Sequence, residues 1–203
     1  MRALQISAYG DPLNVLELVE IPEPGVPGAD EVLIDLELAP LNLHDLLFIR
    51  GYFGGPPTPT VVGNEGFGRV AAVGPGVTNV KVGDHVLAPI LGLTWRERMI
   101  ARAQGLFPLP DGDRLQLALL GSNPPSAALM LSEYADLKPG NWVVQNAGNS
   151  GVGRSLSAIA KLRGIRTISF VRRPELIDEL KAGGADVVLL DEPAAVEEAM
   201  RVI

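Results

Sequence analysis

The chain has 203 residues, 47% of them hydrophobic and 20% charged, so it can bury a core in one large domain or two small ones. Its formal net charge of −7 opposes a nucleic-acid-binding surface, and no apolar run reaches the roughly 18 residues of a membrane helix, so we expect neither kind of partner. The absence of cysteine excludes disulfides and thiolate metal sites and agrees with a cytoplasmic protein.

Residues 1–118 have the pattern of a small β-domain. Short apolar runs are separated by Gly, Pro and Asp, and Leu16–Ile21 and Val32–Leu38 alternate partly with period two, which is typical of half-buried strands. Further strands are predicted at Met1–Ile6, Gly68–Val73, Asp84–Ala88 and Arg96–Ala101, and a short helix at His44–Ile49. Many short strands joined by turns indicate a β-barrel or sandwich.

Residues 119–203 change to alternating helices and strands. Helices are predicted at Ser126–Tyr134, at Gly151–Leu162 and from Pro174, and strands at Trp142–Asn146, Arg166–Val171 and Asp186–Leu190. This alternation predicts right-handed crossovers and a parallel sheet, as in a doubly wound dinucleotide-binding fold. Only the first strand–helix half of that fold is present, so we expect an α/β chain that is truncated within its second domain.

The turn after the first parallel strand reads Ala147-Gly-Asn-Ser-Gly-Val-Gly153 and leads into an amphipathic helix. Glycines let a pyrophosphate approach the backbone, and the helix offers free N–H groups and the positive end of its dipole. The spacing differs from the strict G-x-G-x-x-G, so a glycine-rich turn without a ligand stays open as the alternative. The residues predicted to contact a dinucleotide are Asn149, Ser150, Gly151, Val152 and Gly153.

The end of the second parallel strand indicates which dinucleotide is bound. An NAD site usually places an acid there, about 20 residues past the glycines, whereas this chain has Arg172 and Arg173. Guanidinium groups pair with a ribose 2′-phosphate that an acid would repel, so the pair favours NADPH. The alternative is that both are solvated surface arginines.

A metal site is not predicted. Catalytic zinc needs three ligands from Cys, His and Asp or Glu, and His44 and His85 are the only histidines of a chain without cysteine. We therefore expect both histidines to be structural or surface residues.

The glycine turn, the order of the two domains and the run Gly63-Asn-Glu-Gly66 resemble the medium-chain dehydrogenases/reductases. This resemblance implies an N-terminal GroES-like β-barrel domain followed by a Rossmann domain. In the zinc-dependent alcohol dehydrogenases of that superfamily, the positions of Asn42 and Asn64 are a ligand cysteine and a ligand histidine. Both ligands are replaced here, which again predicts a zinc-free protein.

Within the superfamily the chain most resembles the 2-enoyl thioester reductases. Three segments carry this likeness: Gln145–Gly153, which matches the nucleotide loop, Arg166–Pro174, which matches the second strand and the NADPH-phosphate site, and Asn123–Pro125, which matches the loop that enters the Rossmann domain. The resemblance thus adds Asn123 and Pro174 to the cofactor-binding residues. It also implies an acyl-carrier or coenzyme A thioester as substrate and a homodimer for the full-length protein.

The resemblance also identifies Tyr52 as the catalytic candidate, because the tyrosine of that group precedes its Asn-Glu-Gly motif by the same interval. The sequence departs locally, reading Gly51-Tyr-Phe-Gly-Gly55. The implied reaction adds hydride from NADPH to the β-carbon of an enoyl thioester, with Tyr52 donating a hydrogen bond or proton. An NADPH:quinone oxidoreductase and a non-catalytic NADPH-binding protein remain as alternatives, and we expect a truncated chain to be poorly active.

Overall fold

A computed structural model describes the whole chain, residues 1–203, as two compact units that divide between Gly121 and Ser122. We call residues 1–121 the N-terminal unit and residues 122–203 the C-terminal unit. The first is built mainly from antiparallel strands, and the second alternates strands with helices. The predicted α/β class is therefore confirmed.

The N-terminal unit contains two antiparallel sheets. Its strands are β1 (Arg2–Ile6), β2 (Leu16–Glu20), β3 (Glu31–Leu38), β4 (Thr60–Val61), β5 (Phe67–Val73), β6 (His85–Leu87) and β7 (Arg98–Arg102), and its helices are α1 (Pro12–Val15), α2 (Leu43–Ile49) and α3 (Arg114–Ala118). The strands pair in the orders β2-β1-β4 and β6-β5-β3-β7. Val32, Ile34 and Val70, from the neighbouring strands β3 and β5, are fully buried in its largest apolar cluster.

The predicted strands of this unit and its helix before Tyr52 are confirmed, whereas three short elements were not predicted. Helix α1 has four residues, α3 has five, and β4 has two. The signals for the two helices are local: the side chains of Asp11 and Asp113 accept hydrogen bonds from the amides of Leu13 and Leu115. Segments this short show no hydrophobic periodicity, so only pairing or capping in the folded chain defines them.

The C-terminal unit alternates helices with the strands of a three-stranded parallel sheet. Its elements are α4 (Asn123–Met130), β8 (Trp142–Gln145), α5 (Gly151–Leu162), β9 (Arg166–Val171), a single 3₁₀ turn (Pro174–Leu176), α6 (Ile177–Ala182), β10 (Val187–Leu190) and α7 (Ala195–Val202). The three strands are parallel, in the order β10-β9-β8. This is the strand order of the first half of the Rossmann sheet.

Helix α4 differs from its prediction at both ends. It begins at Asn123 and ends at Met130, not at Ser126 and Tyr134. The segment Asn123–Pro125, expected to be a loop, therefore forms the first turn of the helix. Proline is compatible with a first turn because the N–H it lacks would have no helical partner there.

Helix α5 has the bounds that the sequence predicts and carries the packing of the unit. Leu156 and Ala160 are buried against Ala127 of α4 and against Ile165. Gly164 takes the left-handed conformation, φ +69°, just after the helix ends, as expected for a terminating glycine. With twelve residues α5 is the longest helix, and none of the helices has the length and apolar character required to cross a membrane.

Candidate functional site

The site of the C-terminal unit lies at the carboxyl edge of its parallel sheet. Strands β8 and β9 run in register, with Gln145 opposite Ser169. The amide of Gly148 donates to the carbonyl oxygen of Phe170 at 3.1 Å, which ties the glycine turn to the end of β9. Segments that follow two neighbouring parallel strands thus meet at one edge, where ligands bind in open α/β sheets.

Backbone packing in the turn leaves no room for side chains at two glycines. A methyl group on Gly153 would lie 2.8 Å from the carbonyl oxygens of Ala147 and Gly148, and one on Gly148 would lie 2.7 Å from the Cβ of Ser169. Ala147 itself is left-handed, with φ +47°. The turn therefore depends on glycine for its own close packing, apart from any ligand.

The start of α5 presents donors to an anion. The hydroxyl of Ser150, the N-cap, accepts from the amide of Gly153 at 3.0 Å. This bond uses one first-turn amide and leaves those of Gly151 and Val152 available for another acceptor. The Ser150 O–H can still donate, so the exposed Ser150 and Gly151 form a cradle suited to a phosphate.

The side chain of Gln145 supports this cradle with hydrogen bonds, a role that the sequence did not indicate. Its side-chain amide nitrogen lies 3.1 Å from the carbonyl oxygen of Gly153, 3.0 Å from Ser157 Oγ and 2.9 Å from Ser169 Oγ. Both serines are buried. A glutamine at the end of a strand, followed by serines at buried positions of the next helix and strand, is the pattern that would have revealed it.

Arg172 and Arg173 follow β9 directly and are exposed at the same edge of the sheet. Arg173 reaches Glu175 only at 3.8 Å, and Arg172 has no ion pair within the chain. Pro174 begins the 3₁₀ turn after them. Arg172 is therefore free, and Arg173 has only a long, exposed ion pair, so both guanidinium groups can bind an external anion at this edge.

The remaining predicted cofactor residues have different surroundings. Asn123 is buried at the start of α4, and its amide lies so close to Gly151 that a methyl group there would be 2.6 Å from Nδ2. The carbonyl oxygen of Asn149 accepts from Arg154 Nε at 3.1 Å, and Arg154 is also paired with Glu179 at 2.8 Å. Asn149 and Val152 are half-buried. The structure thus groups the predicted residues of this unit around the first turn of α5 and the end of β9.

In the N-terminal unit, Tyr52 lies on the loop that follows α2. Its amide donates to the carbonyl oxygen of Leu47 at 3.1 Å, and the residue is 73% exposed. Gly51 and Gly54 are left-handed on either side, at φ +82° and +66°. The phenol is therefore accessible, on a loop whose backbone is shaped by glycine.

A buried polar network lies at the start of α2, the helix that precedes this loop. The Asp45 carboxylate accepts from the amides of Asn42 at 2.8 Å and Asn64 at 2.9 Å, so it joins α2 to the Asn-Glu-Gly run. Asn42 Nδ2 donates to Glu65 Oε1 at 2.5 Å, and Glu65 Oε2 is buried without a partner. Burial raises the pKa of the Glu65 carboxyl above its usual range; the Asn42 hydrogen bond opposes this, and the Asp45 charge adds to it.

The two residues at the zinc-ligand positions are part of this network. Asn64 Oδ1 accepts from the amide of Leu91 at 3.1 Å, and Asn42 contacts Glu65. The structure contains no group of three or more His, Cys, Asp or Glu side chains able to hold a metal. Both histidines are half-buried and stacked on a phenylalanine, His44 on Phe53 and His85 on Phe67.

Comparison with known families gives a match over part of the chain. Residues 28–111 match the Alcohol dehydrogenase GroES-like domain, and this range lies within the N-terminal unit. The second unit has the parallel strand order described above. A GroES-like domain followed by a dinucleotide-binding unit is the order that the resemblance to the medium-chain dehydrogenases/reductases implies.

Curated relatives match nearly all of the chain. It is 42% identical over 199 residues to human mitochondrial enoyl-[acyl-carrier-protein] reductase, covering 95% of this chain and 53% of the human protein. The corresponding protein of Caenorhabditis elegans is 40% identical over 198 residues, covering 94% of this chain and 58% of its own length. The chain thus spans a little over half the length of these relatives.

Solved structures show the same fold. A complex described as Etr1p with NADP and crotonyl-CoA has a TM-score of 0.82 at 30% identity, covering 94% of this chain and 60% of that one. Escherichia coli quinone oxidoreductase, solved with NADPH, has a TM-score of 0.89 at 25% identity, covering 100% and 62%. The chain is thus similar, over nearly its whole length, to proteins of the medium-chain dehydrogenase/reductase superfamily, including 2-enoyl thioester reductases.

Proposed function

We propose that the protein is an NADPH-dependent reductase of the C=C bond of 2-enoyl thioesters. The observation that carries this proposal is the phosphate cradle at the start of α5, with two exposed arginines at the same sheet edge. The similarity to human mitochondrial enoyl-[acyl-carrier-protein] reductase and to the Etr1p complex with NADP and crotonyl-CoA supports the choice of substrate class.

The residues of the cradle fit the cofactor by shape and charge. Gly148 and Gly153 leave the backbone close-packed and free of side chains, and the first-turn amides of α5 can donate to a diphosphate. Arg172 and Arg173 can bind the 2′-phosphate that distinguishes NADPH from NADH. When bound, this cofactor supplies the hydride that reduces the β-carbon of the substrate.

Tyr52 is the residue we assign to the thioester. Its exposed phenol can donate a hydrogen bond to the thioester oxygen, where negative charge develops during reduction, and can supply a proton to the α-carbon. A phenol has a reference pKa of about 10, so the tyrosine side chain is normally protonated at neutral pH and acts as a donor.

Cofactor selectivity tests the proposal. Replacing Arg172 and Arg173 together by alanine should weaken NADPH binding by about 10- to 100-fold while NADH binding changes little, since hydrogen bonds to charged groups contribute about 1.5–3 kcal/mol. Fluorescence titration with both cofactors measures this.

The control for this titration removes the same charge elsewhere. Arg163 and Arg166 lie at the opposite end of α5 and β9, so replacing both by alanine should leave the NADPH/NADH ratio unchanged. An equal loss of both cofactors in the Arg172/Arg173 variant, or no loss at all, would contradict the assignment.

A quinone reductase is the second candidate, because the Escherichia coli quinone oxidoreductase shares the fold at a TM-score of 0.89. Steady-state assays with crotonyl-CoA and with a quinone separate the two, and we expect the enoyl thioester to have the higher kcat/KM. NADPH binding without turnover of either substrate would favour the non-catalytic alternative.

We further propose that the full-length protein is a homodimer. One similar structure is the Candida tropicalis Etr1p/Etr2p heterodimer, which supports an assembly of two related chains. Light scattering tests the oligomeric state. The cytoplasmic location stays a prediction that fractionation of cells can test.

A further inference from the structure

The side chain of Tyr9 packs against the loop that carries Tyr52. Tyr9 follows β1, and its hydroxyl donates to the carbonyl oxygen of Pro56 at 2.7 Å. Its ring and that of Phe48 on α2 form a T-shaped pair with centroids 6.1 Å apart. The adjacent amide of Gly10 donates to the carbonyl oxygen of Ile49 at 2.9 Å, so the Tyr9 segment contacts both the helix and the loop that follows it.

Two glycines bring the loop backbone against this tyrosine. A methyl group on Gly51 would lie 3.2 Å from Tyr9 Cβ, and one on Gly55 would lie 2.2 Å from its hydroxyl oxygen. These glycines stand on either side of Tyr52 in the chain. Tyr9 therefore contacts the loop before and after the residue that the proposed reaction requires.

Few contacts within the protein hold Tyr52 in position. The residue is 73% exposed, and its backbone N–H donates one hydrogen bond, to the carbonyl oxygen of Leu47. The direction of the phenol therefore depends on how the loop backbone is held. A displacement of about 1 Å at a reacting group can cost about 100-fold in rate, so such support affects turnover.

We propose that Tyr9 is a positioning residue for Tyr52. The hydrogen bond from its hydroxyl to Pro56 and the close contacts at Gly51 and Gly55 hold the loop so that the Tyr52 phenol faces the substrate. This inference rests on the role proposed for Tyr52. It assigns to the hydroxyl of Tyr9 an effect on kcat and no contact with substrate or cofactor.

The test combines Tyr9→Phe with Tyr52→Phe. Tyr9→Phe keeps the ring and removes the hydrogen bond, so kcat on crotonyl-CoA should fall about tenfold while NADPH affinity and Tm stay near wild type. Hydrogen exchange at amides 51–55 should become faster. In the Tyr52→Phe background the same change should cost nothing further, because the phenol being positioned is gone.

A second variant disturbs the contact between Tyr9 and the loop by a change in the loop itself. Gly55→Ala should displace the Tyr9 hydroxyl and lower kcat by about as much as Tyr9→Phe, and the double variant should be no worse than either single one. Gly25→Ala, where the added methyl meets nothing within 4 Å, and Tyr134→Phe, an exposed tyrosine, serve as controls.

The outcomes separate this inference from the proposed function. If Tyr52→Phe lowers kcat but Tyr9→Phe and Gly55→Ala do not, or if the Tyr9 and Tyr52 losses multiply independently, the positioning role is wrong. If Tyr52→Phe leaves kcat unchanged, the assignment of Tyr52 fails first, and the role of Tyr9 fails with it.

Discussion

The two units each place a glycine-rich loop at a candidate site, and they use glycine differently. In the C-terminal unit, Gly148 and Gly153 are buried, and any side chain there would strike backbone or a neighbouring strand. In the N-terminal unit, Gly51 and Gly54 are needed for their left-handed backbone and flank an exposed phenol. In the proposed function, residues 147–153 (the binding loop) bind the cofactor through their backbone, whereas residues 51–55 (the presenting loop) present the side chain of Tyr52. Variants of the two loops should therefore fail in different ways.

The largest effect is expected at the presenting loop. Tyr52→Phe removes one hydroxyl from an exposed position, so stability should be unchanged, but loss of a donor to a developing oxyanion typically costs about 10²–10³ in kcat. Stopped-flow or steady-state reduction of crotonyl-CoA measures this. Tyr134→Phe, the same change at an exposed tyrosine of the other unit, is the control. Retained turnover in Tyr52→Phe would show that the loop does not present a catalytic group.

A substitution in the binding loop should lower the free energy of unfolding as well as the affinity for NADPH. Gly153→Ala forces a methyl group against two carbonyl oxygens at 2.8 Å, which should destabilise the chain by about 2–3 kcal/mol and weaken NADPH binding as the turn opens. Gly183→Ala, whose nearest neighbour is 3.4 Å away, should change stability much less. Urea denaturation with and without NADPH checks both variants. Equal stability of the two would mean that the turn is not close-packed.

The smallest effect is expected on thermal stability, from the buried carboxyl of Glu65. Because the Glu65 pKa is raised in the folded chain, Glu65 binds a proton more tightly there than in the unfolded chain, and its contribution to stability is lost as pH rises above about 4.5. The Tm advantage of Glu65→Gln over wild type should therefore grow as the pH rises from about 4 to 8, by about 2–4 °C. Thermal melts across this range, with exposed Glu17→Gln as control, test the sign. A Tm difference independent of pH would contradict the raised pKa.

The binding loop was largely predictable from sequence. The strand before it, the bounds of α5, its terminating Gly164 and the arginines after β9 all follow from local patterns, because parallel strand–turn–helix units depend on residues close in sequence. Less predictable was α4, which begins three residues earlier than expected. There, two prolines read as a loop but occupy the first turn of a helix.

The sequence by itself determined the class of fold, the glycine turn and the positive charge at the end of β9, since periodicity, glycine and charge act locally. Only the tertiary structure decided what supports these features: Gln145 under the cradle, Glu65 without a partner for one oxygen, and Tyr9 against the Tyr52 loop. Tyr9 and Pro56 are 47 residues apart in the chain. Such contacts depend on how distant segments pack, and no local pattern encodes that.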